Sequence, residues 1–270
     1  MKLTVLCDNH TIIDRYYLGE PALSFYMEDE GEKILFDTGY SDVFLKNAKA
    51  LGIDFSKLTA IVISHGHNDH TGGLRRLLDT FDLSGVKLIA HPQVFKKRRY
   101  EGLMIGSKLT AEECREYGLD VRECTKPFMI TPRLCFLGEI PRRMSFEGKT
   151  PIGESLENGR WRPDFIRDDS ALVYAGSEGP FVITGCSHSG ICNILTQALS
   201  LSKKEKAAGV IGGFHLMQKD AVLEKTVSFL ADTVSGCLYP CHCVCLEAKC
   251  EMARVLPVRE VGVGMSLEII

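Results

Sequence analysis

The chain has 270 residues, 45% of them hydrophobic and 25% charged, with a net charge of −3. That balance suits a globular protein with a substantial core and argues against one built to wrap a polyanion. No stretch approaches the ~18–20 apolar residues of a membrane span, and Asp8 interrupts the N-terminal apolar run too early for a signal-peptide core.

In chain order, the first elements are strands expected at Leu3–Leu6, Leu23–Met27, Lys33–Phe36 and Ala60–Ser64, each rich in Val, Ile, Leu or Phe. A helix is expected over Val43–Leu51, stopping before Gly52, and another over about Gly73–Phe81 with Thr71 as its N-cap. Between His91 and Asp168, prolines, glycines and charges break every periodicity. Residues 93–168 therefore read as a long excursion from the main sheet, within a single domain spanning 1–270. The basic run Lys96-Lys97-Arg98-Arg99 reads as a solvated helix face. Strands follow at Leu172–Ala175 and Phe181–Thr184, then helices near Ile191–Leu201, Ala221–Val234 and Glu247–Leu256, and a closing strand at Val258–Val263.

Eleven cysteines form no even framework, which points to free thiols in a reducing, cytoplasmic compartment. Cys241, Cys243, Cys245 and Cys250 lack the C-x2-C pairs of common zinc or iron–sulfur sites. One internal echo stands out. Ile61–His67 and Val182–His188 are each an apolar strand running into a ligand-rich loop and then a helix. Two such halves facing each other would bring both loops to one end of the sheets.

The densest chemistry lies in His65-Gly66-His67-Asn68-Asp69-His70. On an extended segment His65 and His67 project to the same side and can share one ion. A turn after them lets Asp69 and His70 address a second ion. Gly66 removes bulk between the pair, and Gly72-Gly73 lets the next helix approach. His215 follows an apolar strand through Gly212-Gly213, which suits a metal ligand, a proton donor or a structural histidine. His91, before Pro92, reads as a loop residue beside the site, and His10 as a surface residue.

The H-x-H-x-D-H segment resembles the signature of the metallo-β-lactamase superfamily, and the resemblance covers nearly the whole chain. It implies an α/β (α+β) fold, an αββα sandwich with metals at one edge of its two sheets. Phe36-Asp37-Thr38-Gly39 resembles the early Asp motif, whose carboxylate braces the metal loop. Tyr239-Pro240-Cys241-His242 resembles the late strand that ends in a His ligand. The implied ligands are His65, His67, Asp69, His70, His188 and His242, with Asp37 and Cys186 in support. Thr184-Gly185-Cys186-Ser187-His188 stands where many members carry Thr-Gly-Asp, so Cys186 replaces the usual bridging carboxylate. His188, pointing the same way two residues later, is the expected replacement donor, leaving Cys186 as a small buried residue facing the second-ion position.

Gly185–Ile191 and Gly212–Leu216 look like one branch of the superfamily. It contains proteins named 7,8-dihydropterin-6-methyl-4-(β-D-ribofuranosyl)aminobenzene-5′-phosphate synthases, together with many hydrolases. The chain departs from that branch after its late His-Cys, with Val244-Cys245 in place of the frequent Thr-Gly. The resemblance implies a hydrolase that activates water on an ester, phosphoester or amide-type small molecule, using one or two Zn²⁺ ions, with Fe²⁺ or Mn²⁺ also suited. Asp69 would orient the nucleophile, and His215 would serve as proton donor or substrate anchor. The alternative is a synthase-type pterin enzyme, with basic residues of the excursion holding a phosphorylated substrate. A non-haem diiron redox protein is a third reading. Against it, flavodiiron proteins carry Glu where this chain has His67, and 270 residues leave no room for their flavodoxin module. The inserted domain of the nuclease branch is missing, and neither a nucleic acid nor a membrane is an expected partner.

Overall fold

The computed structural model describes residues 1–270. Side-chain alternation explains its layering. In one sheet Phe25, Met27, Ile34, Phe36 and Val62 join the core between the sheets, while Tyr26, Leu35, Ile61 and Ile63 join the opposite face. In the other, Leu172, Tyr174, Phe181, Ile183 and Ile211 meet them from across, and Val173, Val182 and Val210 face outward. This is the period of two that an extended chain imposes. Helices cover both outward faces. Val43–Ala50 and Leu74–Thr80 bring Phe44, Leu74 and Leu77 to the first sheet. Ile191–Ser202, Ala221–Thr233 and Leu246–Ala253 cover the second with Leu195, Leu230 and Met252. The fold is the expected αββα sandwich. No helix is long and apolar enough to cross a membrane.

The first sheet has seven strands, in the order Ser266–Glu268, Lys2–Cys7, Ser24–Asp29, Glu32–Phe36, Ala60–Val62, Lys87–Ala90 and Asp120–Glu123. The second has six, in the order Val234–Pro240, Ala207–Gly212, Gly179–Thr184, Ala171–Gly176, Leu134–Phe136 and Phe128–Met129. From Glu32–Phe36 onward the first sheet is parallel, as are the three strands of the second sheet from Gly179 to Pro240. In such sheets ligands bind outside the carboxyl ends of the strands. The loops after Phe36, Val62, Thr184, Gly212 and Pro240 leave those ends, and they carry the histidine-rich motifs of the sequence.

Four expectations are corrected. Residues 93–168 are not one excursion. Asp120–Glu123 extends the first sheet, and Phe128–Met129 and Leu134–Phe136 extend the second. Only Arg98–Tyr100, Leu103–Met104, Glu154–Glu157 and Arg160–Pro163 stand apart, as a small antiparallel sheet. The edge strand Asp-Val-Arg-Glu is too polar to signal a sheet by hydrophobicity. The basic run is not a helix face but the entry to that small sheet. Lys96 pairs with Glu157 at 2.6 Å, Arg99 lies over Trp161, and Arg98 is only 1% exposed. Thr71 does not cap the helix Leu74–Thr80, because the metal-loop motif itself winds into a helical turn, Asn68–Thr71, and the Thr71 hydroxyl donates to the His67 carbonyl. Finally, 258–263 contacts Leu238 through single backbone bonds, and the closing strand is Ser266–Glu268, paired with Lys2–Thr4.

Candidate metal centre

Leaving the strand Ala60–Val62, the chain stays extended to His67 and then coils into the turn Asn68–Thr71. That change of backbone sends His65 and His67 one way and Asp69 and His70 another. The donor atoms of His65, His67 and His188 lie within 4.8 Å of one another, as do those of Asp69, His70, Cys186 and His242. The two groups abut, with the His65 and His70 rings 4.2 Å apart between centroids. The paired loops of the sequence echo therefore meet, His65 and His188 at 4.7 Å. His188 stands in the first group, with His65 and His67. The Cys186 Sγ lies 3.2 Å from both His70 Nε2 and His242 Nε2.

A buried carboxylate orients two of the histidines. Asp37 accepts from the Ser64 backbone N–H, the Ser64 hydroxyl and His70 Nδ1, each at 2.7 Å. Because the Ser64 hydroxyl spends its proton on Asp37, its oxygen accepts from His65 Nδ1 at 3.0 Å. Both rings thus carry their protons on Nδ1 and turn Nε2 inward, the usual carboxylate–histidine arrangement behind a metal. His242 is oriented from a direction that sequence reasoning missed. Asp8 accepts its backbone N–H at 2.9 Å, and Asn9 Oδ1 stands 3.2 Å from its Nδ1. The available signal was a polar pair directly after the strand Lys2–Cys7. Four residues of these loops hold left-handed backbone without being glycine, namely Asp37, Ser187, His215 and His242, with φ of 59°, 61°, 48° and 54°. Such concentration of strain is typical of functional sites.

Charge and solvation fit a cation. Burial, reinforced by the neighbouring imidazoles, holds His65 and His188 well below the usual histidine value, and burial with Arg98 nearby brings His67 down to about 4. All three are therefore neutral at neutral pH, with lone pairs available to a cation. Burial opposes ionisation of Asp69, but His70 and His242 outweigh it and hold the carboxyl well below its normal range. Burial pushes the Cys186 thiol up, a tendency that a coordinated cation reverses. The buried nitrogens His67 Nε2, His188 Nδ1 and His188 Nε2 have no hydrogen-bond partner. Each such orphan costs about 1–3 kcal/mol. An N/S/O donor set with lone pairs turned inward satisfies them by taking a divalent ion, and borderline-soft Zn²⁺ or Fe²⁺ suits a thiolate better than Mg²⁺ does.

Both groups open onto a cleft of about 390 Å³ walled by Tyr100, Ile105, Ile152 and Met217. His215 lies outside both donor groups, exposed at the cleft wall with its ring 4.6 Å from that of His188. A second hollow shares His188, His215, Ile152 and Met217 with the cleft and extends to Lys149, beyond which Arg142 and Arg167 line a third. His91 is buried away from the donors and caps the turn Pro92–Phe95, and His10 is exposed and pairs with Glu260.

Fold and site define an αββα protein whose metal-binding donor cluster sits at one edge of paired sheets. Residues 18–194 match the metallo-beta-lactamase superfamily. The chain belongs to that superfamily and is one of its enzymes. It is 32% identical, over 82% of its length and 79% of the relative's, to the 7,8-dihydropterin-6-methyl-4-(beta-D-ribofuranosyl)-aminobenzene-5'-phosphate synthase of Methanocaldococcus jannaschii. The crystal structure of Tm1679, a metal-dependent hydrolase of the beta-lactamase superfamily, is 33% identical and superposes with a TM-score of 0.85, covering 100% of this chain and 99% of that one. Zn²⁺-bound PqqB from Methylobacterium extorquens shares the fold at 11% identity and a TM-score of 0.59, with 100% of each chain covered.

Proposed function

We propose that the protein is a metal-dependent hydrolase acting on a small molecule. The observation that carries this reading is the pair of abutting donor groups opening onto one cleft. His65, His67 and His188 would hold one ion, and Asp69, His70, Cys186 and His242 a second. Zn²⁺ is the first choice, with Fe²⁺ or Mn²⁺ as alternatives. When bound, such ions supply hydroxide at neutral pH and neutralise developing oxyanion charge.

The residues divide the remaining tasks. Asp69, kept ionised by its neighbours, is an acceptor that can orient a water molecule. His215, exposed at the wall and free of both groups, would protonate a leaving group. Tyr100, Ile105, Ile152 and Met217 would pack an apolar or aromatic portion of the substrate. Lys149, Arg142 and Arg167, further along the same run of hollows, suit a phosphorylated or otherwise anionic end. That end, together with the 32% identity to a pterin synthase, also supports a synthase-type reading in which the substrate is a phosphorylated pterin.

Metal analysis of anaerobically purified protein, followed by assay on esters, lactones, phosphodiesters and a phosphorylated pterin, separates the two. Hydrolysis that scales with metal content is the expected result. Equal turnover by metal-stripped and metal-loaded protein would overturn the proposal. Product formation from the pterin alone would decide for the synthase.

A further inference from the structure

Arg98 is among the largest fully buried side chains, and its guanidinium faces two carboxylates. Nε donates to Asp164 at 2.7 Å and Nη2 to Asp168 at 2.5 Å, while Nη1 and Nη2 also reach the Val94 and Gln93 carbonyls. The other oxygen of Asp168 accepts the backbone N–H of Gly66 at 2.7 Å, between His65 and His67. A Cβ on residue 66 would stand 1.9 Å from Arg98 Nη1 and 2.1 Å from the Val94 carbonyl. The guanidinium therefore lies flat against the backbone that separates the two histidines, which is why that position is glycine.

The residues after Asp168 continue the pattern. Asp169 accepts the backbone N–H of Ser189, next to His188, at 2.8 Å, and the N–H of Ser170 donates to the carbonyl of Ser64, next to His65, at 3.0 Å. The bonds of Asp168 to Gly66, Asp169 to Ser189 and Ser170 to Ser64 each end next to a member of the three-histidine group. None touches Cys186 or His242. From the other side, Ile105 bonds to Arg98 and its carbonyl accepts from Asn68, between His67 and Asp69, so the hairpin bearing the cleft residues Tyr100 and Ile105 is fastened to the loop that feeds both groups.

We propose that Arg98 and Asp168 are positioning residues dedicated to the three-histidine group, acting through the Gly66 backbone on that ion position and not on the other. The inference rests on the metal-centre reading above. Its physical basis is that a group behind a metal loop sets ligand orientation, and its removal typically costs about 10–100-fold in metal affinity. Asp168→Asn is the sharp test. The amide has one acceptor oxygen, whereas Gly66 N–H and Arg98 are both donors, so either the hold on the loop or the tie between Asp168 and Arg98 is lost. Asp164→Asn makes the same chemical change in the same buried network, but its loss falls on Arg98 Nε or the Ile166 N–H and leaves the Arg98–Asp168–Gly66 chain in place.

Cobalt(II) titration of the full-length, metal-free protein reads the two positions separately. A thiolate-to-cobalt band in the near ultraviolet reports the Cys186 group alone, and visible absorption that grows without a matching rise in that band reports the other. In Asp168→Asn, and in Arg98→Lys, the ion without the thiolate band should bind about 10–100-fold more weakly, while the thiolate band titrates as in the wild type. Asp164→Asn should bind both ions as the wild type does, even if its melting temperature falls. Parallel weakening of both ions, no weakening of either, or an Asp164→Asn profile matching Asp168→Asn would overturn the proposal. If Asp168→Asn does not fold, Arg98→Lys decides by the same criteria. A wild type that takes up no ion outside the thiolate-marked position overturns the three-histidine reading and this inference together, whereas two ions bound alike by wild type and variant overturn the inference alone.

Discussion

His65 and His67 can supply an ion only with Nε2 or Nδ1 lone pairs held inward, and Asp37, through Ser64, fixes that for His65. Replacing both histidines by Ala should remove one ion and the activity, while leaving the circular dichroism spectrum and the sandwich intact. Unchanged metal content in that variant would count against the ligand set. At this scale the sequence was highly legible, because ligand-type residues crowd into loops that follow apolar strands. Cys186 needed coordinates, since only geometry shows its sulfur equidistant from His70 and His242. Asp8, Asn9 and Asp168 were illegible for a different reason. A carboxylate that accepts backbone N–H groups across the fold has no local pattern, and Asp168 lies 102 residues from the glycine it holds.

Helix Ile191–Ser202 shows how one element recruits its cap from elsewhere. Gly190 provides no side chain, and Glu147 instead accepts the N–H groups of Asn193 at 2.6 Å and Cys192 at 3.2 Å. Anions are favoured at that end of a helix, yet burial dominates and raises the Glu147 carboxyl from 4.5 to about 6. The folded state therefore binds the proton more tightly than the unfolded chain does. Stability is greatest below about pH 4.5 on this account and falls as pH rises through about 6, by about 1–2 kcal/mol. Glu147→Gln should erase that part of the dependence, seen as a plot of stability against pH that is flatter than the wild type's in urea melts between pH 4.5 and 7. Equal slopes would exclude Glu147 as the source. Helix and strand positions in the two halves were legible from periodicity. The small sheet was not, since its strands bury few side chains and their partners come from Glu154–Pro163.

The whole molecule is two cores of outward faces around one shared interior, with the small sheet attached at the cleft edge. Local opening follows sparse apolar burial. A broad-specificity protease should accordingly cut first at the exposed tips Glu101-Gly102 and Asn158-Gly159, and a ligand held in the cleft should slow the cut at the first tip. Initial cleavage within Gly179–Thr184 would contradict this ordering. The left-handed residues at the cleft set a limit of another kind. The His215 side chain makes no hydrogen bond that would favour its φ of 48°, a conformation that costs an ordinary residue about 1–2 kcal/mol. Glycine would relieve that cost and give back about 0.5–1 kcal/mol in chain entropy. His215→Gly should then melt about 1–3 °C higher than wild type while losing most of its turnover. A lower melting temperature would show that the loop is held by something other than its histidine. Heat tolerance and chemistry thus pull on the same backbone angle, so variants selected only for surviving high temperature would be expected to drift toward inactive, more durable proteins.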